Sequence, residues 1–560
     1  MNPSTDPDPG LARRRLVATA LIVIALLACA IAIAQCGGGG REVAERYANA
    51  WERQDFAAMH SLLSDQSKRD VPLDRFVEIQ REALATATVR KLAAKEAKGP
   101  EGDVVAVPFE VETRIFGTLP LTARIRLTED SETAKVVWEP SLALPGLRPG
   151  ESLSRTTTMP PRASLLAADG SPLAEGPDRT STIPDVAGEI VGRIGPPPPG
   201  TEFSMRALGY PDGTQVGLNG LERVFQPKLA GRPGGTLKAG ARVLASTSPK
   251  ASPSLRTTIV PEIERAAAAA LAGRPGGIAV TDPRTGEVLA LVGTAFSAGS
   301  PPGSTFKVIT ASAALQGGLV KMSDVFPYEV GARLDGRLLQ NSGGASCGGS
   351  LAAAFAESCN SVFAPMGVKV GSGRLVEMAE KFGFNRTMPG VPGAAVSTIP
   401  PASEIQGEDA TGSTAIGQGS LIATVLQMAT TAATVAAGGF RAQPTLVPVR
   451  RPSGWRVLDR RVADQMNRLM VAVVRTGTGS SASIAGVPVA GKTGTAELVD
   501  TTKEENMGDP TNTNAWFVAF APARGARVAI AVELDRAGHG GDTAAPAARD
   551  VLVAALKATR

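Results

Sequence analysis

Two stretches in the first part of the chain alternate strictly between apolar and polar residues. They cover residues 107–115 and 121–127, and a Gly-Thr pair lies between them. A period of two is typical of strands with one buried and one exposed face, so the two stretches predict a β-hairpin. Helical spacing of apolar residues predicts an amphipathic helix over Val43–Leu63, and a third short strand is predicted over Lys135–Trp138. Residues 41–148 are therefore expected to form one small α+β domain.

An uncharged apolar run lies near the start of the chain. It extends from Leu16 to Ala34 and follows three consecutive arginines. A run of this length spans ~30 Å of hydrocarbon as a helix, and basic residues on its N-terminal side favour a cytoplasmic N-terminus. We therefore expect a cytoplasmic tail over residues 1–15, a membrane anchor over 16–35 and an exported remainder. Two alternatives are a cleaved signal peptide and a lipoprotein with its lipid on Cys29 or Cys36.

The composition and the hydrophobic pattern of the rest of the chain change twice. Residues 149–250 are rich in proline and glycine and include a Gly-Pro-Pro-Pro-Pro-Gly segment, which predicts an elongated connecting module. Residues 251–560 mix helical and strand patterns, with an alanine-rich helix predicted over Val260–Ala272 and strands over Gly277–Val280 and Val288–Val292. The predicted fold class is multidomain α+β.

Composition narrows the range of chemistry. The chain has 560 residues, of which 43% are hydrophobic and 20% charged, enough apolar material for several cores. Its net charge of +5 gives no case for nucleic acid as a partner. The only histidines are His60 and His539 and there are four cysteines, so a zinc site is close to excluded and a Ser-His-Asp enzyme is disfavoured.

Three short motifs carry the candidate chemistry. The first is Ser304-Thr305-Phe306-Lys307; if Gly303 opens a helix at Ser304, the hydroxyl and the amine share one helix face, and the amine can take the hydroxyl proton. The second is Ser358-Cys359-Asn360. The third is Lys492-Thr493-Gly494-Thr495, after an edge strand predicted over Val487–Gly491. Each motif alone is a weak signal, but together and in this order they form a known catalytic set.

This S-x-x-K, S-x-N and K-T-G set resembles that of the penicillin-binding proteins and serine β-lactamases. The resemblance is strong from about residue 255 to 560. It is weaker over 150–250, which looks like the pedestal or dimerisation module of class B members, and residues 41–148 look like the NTF2-like domain of the MecA-type subgroup. Further stretches that match the transpeptidases are Ser300–Lys307, Asp282–Ala290, Ile416–Gly419, Ala490–Glu497 and Ala515–Pro522.

The resemblance implies a serine β-lactamase/transpeptidase-like domain over 251–560, an antiparallel sheet flanked by helices. It also implies that Ser304 attacks the carbonyl between two D-alanines of a peptidoglycan stem peptide. Lys307 would be the base, and Lys492 would supply the cation that lowers its pKa. Ser358 would relay the proton to the leaving amine, while Asn360 holds the substrate amide and Lys307.

The same resemblance assigns the binding groups. Thr493 and Thr495 would bind the terminal carboxylate of substrate or β-lactam, and Gly494 would leave the backbone accessible. The backbone N–H groups of Ser304 and Thr495 would form the oxyanion hole. An amine from a neighbouring stem peptide would accept the acyl group, and no metal or organic cofactor is required. The implied partners are stem peptides, β-lactams as covalent inhibitors, the membrane and proteins of cell-wall synthesis.

The cysteines give a separate expectation. Cys347 and Cys359 lie on the predicted oxidising side of the membrane, and the other two cysteines are in or beside the anchor, so we expect a Cys347–Cys359 disulfide. Two buried free thiols are the alternative.

Four more residues attract attention around the motifs. Glu497, Gln418 and Trp516 match family positions, but packing and hydrogen bonding around the site is the stronger interpretation. His539 is expected in a loop near the cleft rather than as a base. In the pedestal, Ala167 stands where the family commonly has an aspartate.

Other functions remain open at this point. A β-lactam sensor would use the same acylation to signal, and a D,D-carboxypeptidase or β-lactamase would use water as the acceptor. Residues 486–493 also fit the Walker A pattern, but the sequence shows no preceding strand, flexible loop or following helix. Residues 477–482 mimic a dinucleotide fingerprint, but no βαβ unit with an acidic partner follows.

Overall fold

The computed structural model describes residues 39–99, 101–128, 134–497 and 512–559. The predicted cytoplasmic tail over residues 1–15 and the predicted anchor over 16–35 lie outside the described residues. Within these ranges, no helix combines the length and the apolar character needed to cross a membrane.

The chain divides into two compact units, and the proline- and glycine-rich residues contribute to both. The first unit comprises the chain up to Pro160 with Pro196–Gln215 and Gly231–Ala251. The second comprises Pro161–Gly195, Val216–Ala230 and everything from Ser252 onward. The domain boundaries 41–148, 149–250 and 251–560 remain predictions.

The first unit opens with helices and continues with an antiparallel sheet in the order β1-β2-β3-β4. Its elements up to Pro160 are α1 (Gly40–Glu52), α2 (Phe56–Ser61), α3 (Asp65–Asp70), α4 (Leu73–Thr86), β1 (Val89–Ala94), β2 (Val104–Thr113), β3 (Thr118–Leu127), β4 (Val136–Val137) and β5 (Leu153–Thr158).

The predicted hairpin is confirmed as β2 and β3, which pair antiparallel. The apolar residues of the alternating pattern, such as Val107 and Phe109, are buried, because one sheet face covers the core of this unit. The helix predicted over Val43–Leu63 is two helices. Gln54 has a left-handed φ of 56°, and the Asp55 side chain begins α2 by accepting a hydrogen bond from the Ala58 N–H at 3.0 Å.

Residues 161–251 form short elements that alternate between the units. They are β6 (Leu165–Leu166), β7 (Pro172–Ala174), α5 (Pro184–Ile190), β8 (Ile194–Gly195), α6 (Glu202–Leu208), β9 (Val216–Gly217), α7 (Gly220–Val224), α8 (Gln226–Leu229), β10 (Gly234–Ala239) and β11 (Arg242–Thr247). In the second unit, the buried carboxylate of Glu222 accepts hydrogen bonds from Arg162 and Arg179, each at 2.7 Å to the guanidinium Nε. Such a buried carboxylate needs cationic partners, so each arginine stabilises this part of the fold.

The remaining elements of the second unit carry the three motifs. They are β12 (Leu255–Arg256), α9 (Pro261–Leu271), β13 (Gly276–Thr281), β14 (Val288–Gly293), β15 (Gly299–Ser300), α10 (Lys307–Gln316), β16 (Val325–Glu329), β17 (Gly331–Leu334), β18 (Arg337–Gln340), β19 (Cys347–Ser350), α11 (Leu351–Ala356), α12 (Asn360–Val370), α13 (Ser372–Lys381), α14 (Gly407–Ala415), β20 (Ala423–Thr424), α15 (Val425–Ala436), β21 (Phe440–Ala442), β22 (Gly454–Arg456), α16 (Arg460–Thr476), β23 (Ala490–Glu497), β24 (Thr513–Ala521), β25 (Val528–Leu534) and α17 (Ala544–Ala558).

A five-stranded antiparallel sheet in the order β14-β13-β25-β24-β23 forms the centre of this unit. The strands β24 and β25 are almost continuously apolar because both faces of the sheet are covered. One face, including Phe517 and Ile530, packs against α9 and α17. The other face, including Trp516 and Ala531, belongs to the core that contains α10 and α15. This arrangement leaves β23 as an edge strand, and β23 carries the third motif.

Candidate active site

The nucleophile candidate Ser304 lies on a single 3₁₀ turn over Gly303–Phe306, and the α-helix α10 begins only at Lys307. The turn forms because the backbone carbonyl of Pro302 accepts from both the N–H (3.3 Å) and the hydroxyl (2.7 Å) of Thr305. We assumed from the sequence that Gly303 opens a helix at Ser304; a 3₁₀ turn begins there instead, and the α-helix follows it. Ser304 is partly exposed, whereas Lys307 is completely buried.

The turn packs directly on β23 through two glycines. A Cβ at Gly303 would lie 2.8 Å from the carbonyl oxygen of Thr495, and a Cβ at Gly494 would lie 2.9 Å from the carbonyl oxygen of Pro302. Both distances are shorter than side-chain carbons tolerate, so the approach of backbone to backbone requires glycine at each position. The first and third motifs are thereby held against each other.

The second motif meets the other two at the hydroxyl of Ser358. This residue connects α11 to α12 with a left-handed φ of 63°. Lys492 Nζ donates a hydrogen bond to Ser358 Oγ at 2.8 Å, and Lys307 Nζ lies 3.2 Å from the same oxygen. A non-glycine residue with positive φ is uncommon and is found at functional sites more often than elsewhere.

Lys307 has two further partners. Its Nζ donates to the backbone carbonyl of Ser358 and to Asn360 Oδ1, both at 2.6 Å. A neutral amine has two N–H donors and one lone pair. The two carbonyl oxygens can therefore take both donors and leave the lone pair available to accept a hydroxyl proton.

Burial sets the charge of both lysines. Complete burial lowers the pKa of Lys307 well below its ordinary value, and the neighbouring Lys492 lowers it further. Burial also lowers the pKa of Lys492 to about 7, against a smaller opposing effect of Glu357. Protonating both buried amines, which contact the same hydroxyl, carries a large free-energy cost. The favoured state is therefore one neutral amine beside one ammonium group.

A disulfide between Cys347 and Cys359 lies within the second motif. It ties β19 to the start of α12, with the two Cα atoms 5.5 Å apart. Asn360 is fixed on its other side, because its Nδ2 donates to the carbonyl oxygen of Gln340 at 2.6 Å. The segment that carries Ser358 and Asn360 is thus anchored at several points, which limits the freedom of both side chains.

The predicted carboxylate-binding residues lie along β23. Thr493 is buried and its hydroxyl is 2.6 Å from that of Thr478, which in turn donates to the Ala356 carbonyl at 3.1 Å. Thr495 is partly exposed. Sequence reasoning missed Thr478, and the available signal was its place in a glycine- and threonine-rich run between α16 and β23.

The remaining candidate residues are Trp516, His539, Gln418 and Glu497. Trp516 is fully buried beside Gly494, its cross-strand neighbour in β24, which agrees with a packing role. His539 is an exposed loop residue. Gln418 is partly exposed next to Gly417, whose carbonyl accepts from the Gly303 N–H at 3.0 Å. Glu497, at the end of β23, is exposed.

Two family profiles match separate stretches of the chain. The profile described as the penicillin binding protein transpeptidase domain matches residues 276–553, which include all three motifs. The profile described as the NTF2-like N-terminal transpeptidase domain matches residues 40–151.

Curated relatives match across a large part of the chain. The peptidoglycan D,D-transpeptidase PbpA of Mycolicibacterium smegmatis is 34% identical over 365 residues, which are 54% of this chain and 72% of the relative. PbpA of Mycobacterium tuberculosis is 35% identical over 337 residues, which are 56% of this chain and 64% of the relative.

Solved structures show the same fold. The crystal structure of PBPA from Mycobacterium tuberculosis matches with a TM-score of 0.57 at 28% identity. The match covers 71% of this chain and 99% of the PBPA chain. The penicillin G acyl-enzyme complex of the same protein matches with the same TM-score, identity and coverage. The chain belongs to the class B penicillin-binding D,D-transpeptidases and carries the NTF2-like N-terminal domain of the MecA-type subgroup.

Proposed function

We propose that this chain cross-links peptidoglycan stem peptides through an acyl-enzyme on Ser304, and that β-lactams acylate the same hydroxyl. The observation that carries the proposal is the meeting of three distant motifs at Ser358 Oγ, within hydrogen-bond reach of both lysine Nζ atoms. The nucleophile Ser304 lies three residues before the desolvated Lys307, and a desolvated lysine can activate a serine without histidine.

The first half-reaction forms the ester. The Ser304 hydroxyl gives its proton to neutral Lys307 while Oγ bonds to the carbonyl carbon of the penultimate D-alanine. Backbone N–H groups of Ser304 and Thr495 stabilise the oxyanion. When the C–N bond breaks, the leaving D-alanine nitrogen takes a proton from Ser358 Oγ, and Lys307 returns its proton to that oxygen.

Binding groups hold the donor peptide during this step. The terminal carboxylate accepts hydrogen bonds from the hydroxyls of Thr493 and Thr495, next to the charge of Lys492. To do so, the Thr493 hydroxyl turns its hydrogen from the Thr478 oxygen to the carboxylate. This carboxylate raises the pKa of Lys492 in the complex, because an opposite charge favours the protonated amine. Asn360 orients the peptide amide and holds Lys307.

The second half-reaction transfers the acyl group. An amine of a neighbouring stem peptide attacks the ester carbonyl and gives a proton to neutral Lys307. The bond to Ser304 Oγ then breaks, and Lys307 passes the proton to that oxygen, which restores the hydroxyl. No metal or organic cofactor takes part in either step. Water in place of the amine would make the chain a D,D-carboxypeptidase or a β-lactamase, and signalling by the acyl-enzyme would make it a β-lactam sensor.

Product analysis tests the proposal. Lipid-linked peptidoglycan is polymerised by a separate glycosyltransferase in the presence of this chain, and the muropeptides are separated by mass. We expect cross-linked dimers with the wild-type chain and none with Ser304→Ala. Only trimmed tetrapeptides at every acceptor concentration would contradict transfer, and neither product would favour the sensor.

Localisation extends the same proposal. We assign the bulk of the chain to the extracytoplasmic side of the cell membrane, with residues 16–35 as a single-pass anchor and 1–15 in the cytoplasm. The support is the uncharged run after three arginines. Stem peptides are assembled into the wall on that side, where proteins of cell-wall synthesis are available as partners.

A further inference from the structure

A buried carboxylate lies on the central sheet, outside the three motifs. Glu533 on β25 is 5% exposed and faces the cross-strand neighbours Trp516 on β24 and Gly277 on β13. Its Oε1 accepts two hydrogen bonds, from Ser300 Oγ at 2.7 Å and from Asn514 Nδ2 at 2.8 Å. One oxygen atom therefore connects two separate segments of the chain.

The first segment leads directly into the nucleophile turn. Ser300 pairs with Ala423 in the two-stranded ladder of β15 and β20, four residues before Ser304. Pro301 and Pro302 lie between Ser300 and Gly303. Because proline fixes φ, this connection is stiff, and the position of Ser300 constrains where the turn begins.

The second segment leads to the substrate-binding strand. Asn514 on β24 is the register partner of Ala496 on β23, immediately after Thr495. Its side-chain oxygen accepts from the Arg536 N–H at 3.1 Å, and its Nδ2 also lies 3.3 Å from Asp535 Oδ1. The amide is therefore held in one orientation, with its nitrogen towards Glu533.

We propose that Glu533 is a positioning residue for acylation, which holds the nucleophile turn in register with β23 through Ser300 and Asn514. This inference rests on the proposed function and adds a residue to it. Glu533 touches neither substrate nor the reacting atoms; it acts through the position of Ser304 relative to Thr495. A small displacement of a nucleophile lowers the reaction rate by a large factor, so the hydrogen bonds of Glu533 to Ser300 and Asn514 are expected to affect acylation.

The surroundings of Glu533 make ionisation of its carboxyl less favourable than in water. Burial raises the pKa of Glu533 to about 7, and the adjacent Asp535 contributes to the rise. The cluster lines a cavity of about 290 Å³, where Asp535 and Arg536 are the other charged residues. A neutral glutamine offers the same Oε1 acceptor, so the conservative substitution is expected to preserve both bonds.

The test separates binding from acylation with a fluorescent penicillin. Stopped-flow traces give the dissociation constant of the initial complex and the acylation rate constant. We expect Glu533→Ala and Ser300→Ala each to lower the rate constant about tenfold, the scale of one lost hydrogen bond that holds the reacting geometry, with the dissociation constant within about twofold. Glu533→Gln should stay within about threefold of wild type.

A double variant tests the connection itself. If Glu533 acts through Ser300, the Ser300→Ala/Glu533→Ala chain acylates no more slowly than Glu533→Ala alone. Rate losses that multiply would overturn the proposal, as would wild-type rates in both single variants or a Gln variant as slow as the Ala variant. If Glu533→Ala does not fold, Ser300→Ala and Glu533→Gln decide alone, because Ser300 is partly exposed.

Glu264 provides the matched control. It is a fully buried carboxyl on α9 whose Oε2 accepts one hydrogen bond, from the Leu291 N–H at 2.9 Å. Glu264→Ala should lower the melting temperature and leave the acylation rate constant unchanged. A wild-type chain that penicillin does not acylate would contradict the proposed function instead, so the two failures are distinguishable.

Discussion

At the scale of single residues, one hydroxyl organises the site. Ser358 Oγ lies within hydrogen-bond reach of Lys307 and Lys492, and burial depresses the pKa of both amines. The sequence predicted all three residues from the motif set, but not the short contacts between them. Motif spacing carries no information on distance in space, since 134 residues separate Ser358 from Lys492.

The pKa of Lys492 gives a pH prediction. In the folded protein the pKa of Lys492 is about 7, below its ordinary value. The positive charge of Lys492, which binds a carboxylate, is therefore present below pH 7 and lost above it. The second-order acylation constant, which reports the free enzyme, should therefore fall about tenfold per pH unit well above pH 7. Stopped-flow measurements with fluorescent penicillin from pH 5 to 10 provide the profile.

The matched variant for this profile is Lys492→Arg. A guanidinium stays charged across the range, so the alkaline fall should disappear even though the absolute rate is lower. An identical alkaline fall in the Lys492→Arg chain would show that another group causes it, and Lys492 would lose its assigned role.

At the scale of elements, glycine determines how closely the nucleophile turn approaches β23. The strand was predicted to end before Lys492, whereas β23 runs over Ala490–Glu497 and contains the whole third motif. Apolar and polar residues do not alternate in β23, because the strand contains Lys-Thr-Gly-Thr and residues on both of its faces are buried. Where alternation is undisturbed, as in β2 and β3, the prediction was correct.

Gly494→Ala tests this close approach. The added methyl would lie 2.8 Å from Trp516 Cβ and 2.9 Å from both Pro302 O and Thr305 Cγ2, so the turn or the strand must move. We expect a loss of about 1–3 kcal/mol in the free energy of unfolding and an acylation rate at least about tenfold lower. Chemical denaturation and penicillin labelling measure the two effects.

Gly188→Ala is the control for that substitution. Gly188 is exposed on α5, and a Cβ there would meet nothing within 4 Å. Alanine should therefore be neutral or stabilise slightly, by about 0.5–1 kcal/mol, without a change in labelling. Equal labelling of Gly494→Ala and Gly188→Ala would contradict the proposed contact between turn and strand.

At the scale of the whole molecule, the profile matches and the fold agree on a catalytic unit and an NTF2-like domain. The module predicted over residues 149–250 stays a prediction, and in the structure these residues contribute to both compact units. Short elements between prolines give no long periodic signal, so their partners could not be predicted. Glu533 was missed for a related reason: its bond to Ser300 spans 233 residues and belongs to no short motif.

The prediction at the scale of the whole chain is the retained membrane anchor over residues 16–35. After alkaline carbonate extraction, the protein should stay in the membrane fraction, and mass spectrometry should recover the tryptic peptide Met1–Arg13. A chain that begins at residue 39 is the control and should appear in the soluble fraction. A mature N-terminus at a lipidated Cys29 or Cys36 would contradict a retained helix.

The most direct test of the central claim is the site of the penicillin adduct. The chain is incubated with penicillin G, digested with trypsin and analysed by tandem mass spectrometry, with attention to the peptide Thr285–Lys307. We predict one intact penicillin mass on Ser304, and none in a folded Ser304→Ala chain. An adduct on any other residue, or a fully labelled Ser304→Ala chain, would contradict the account.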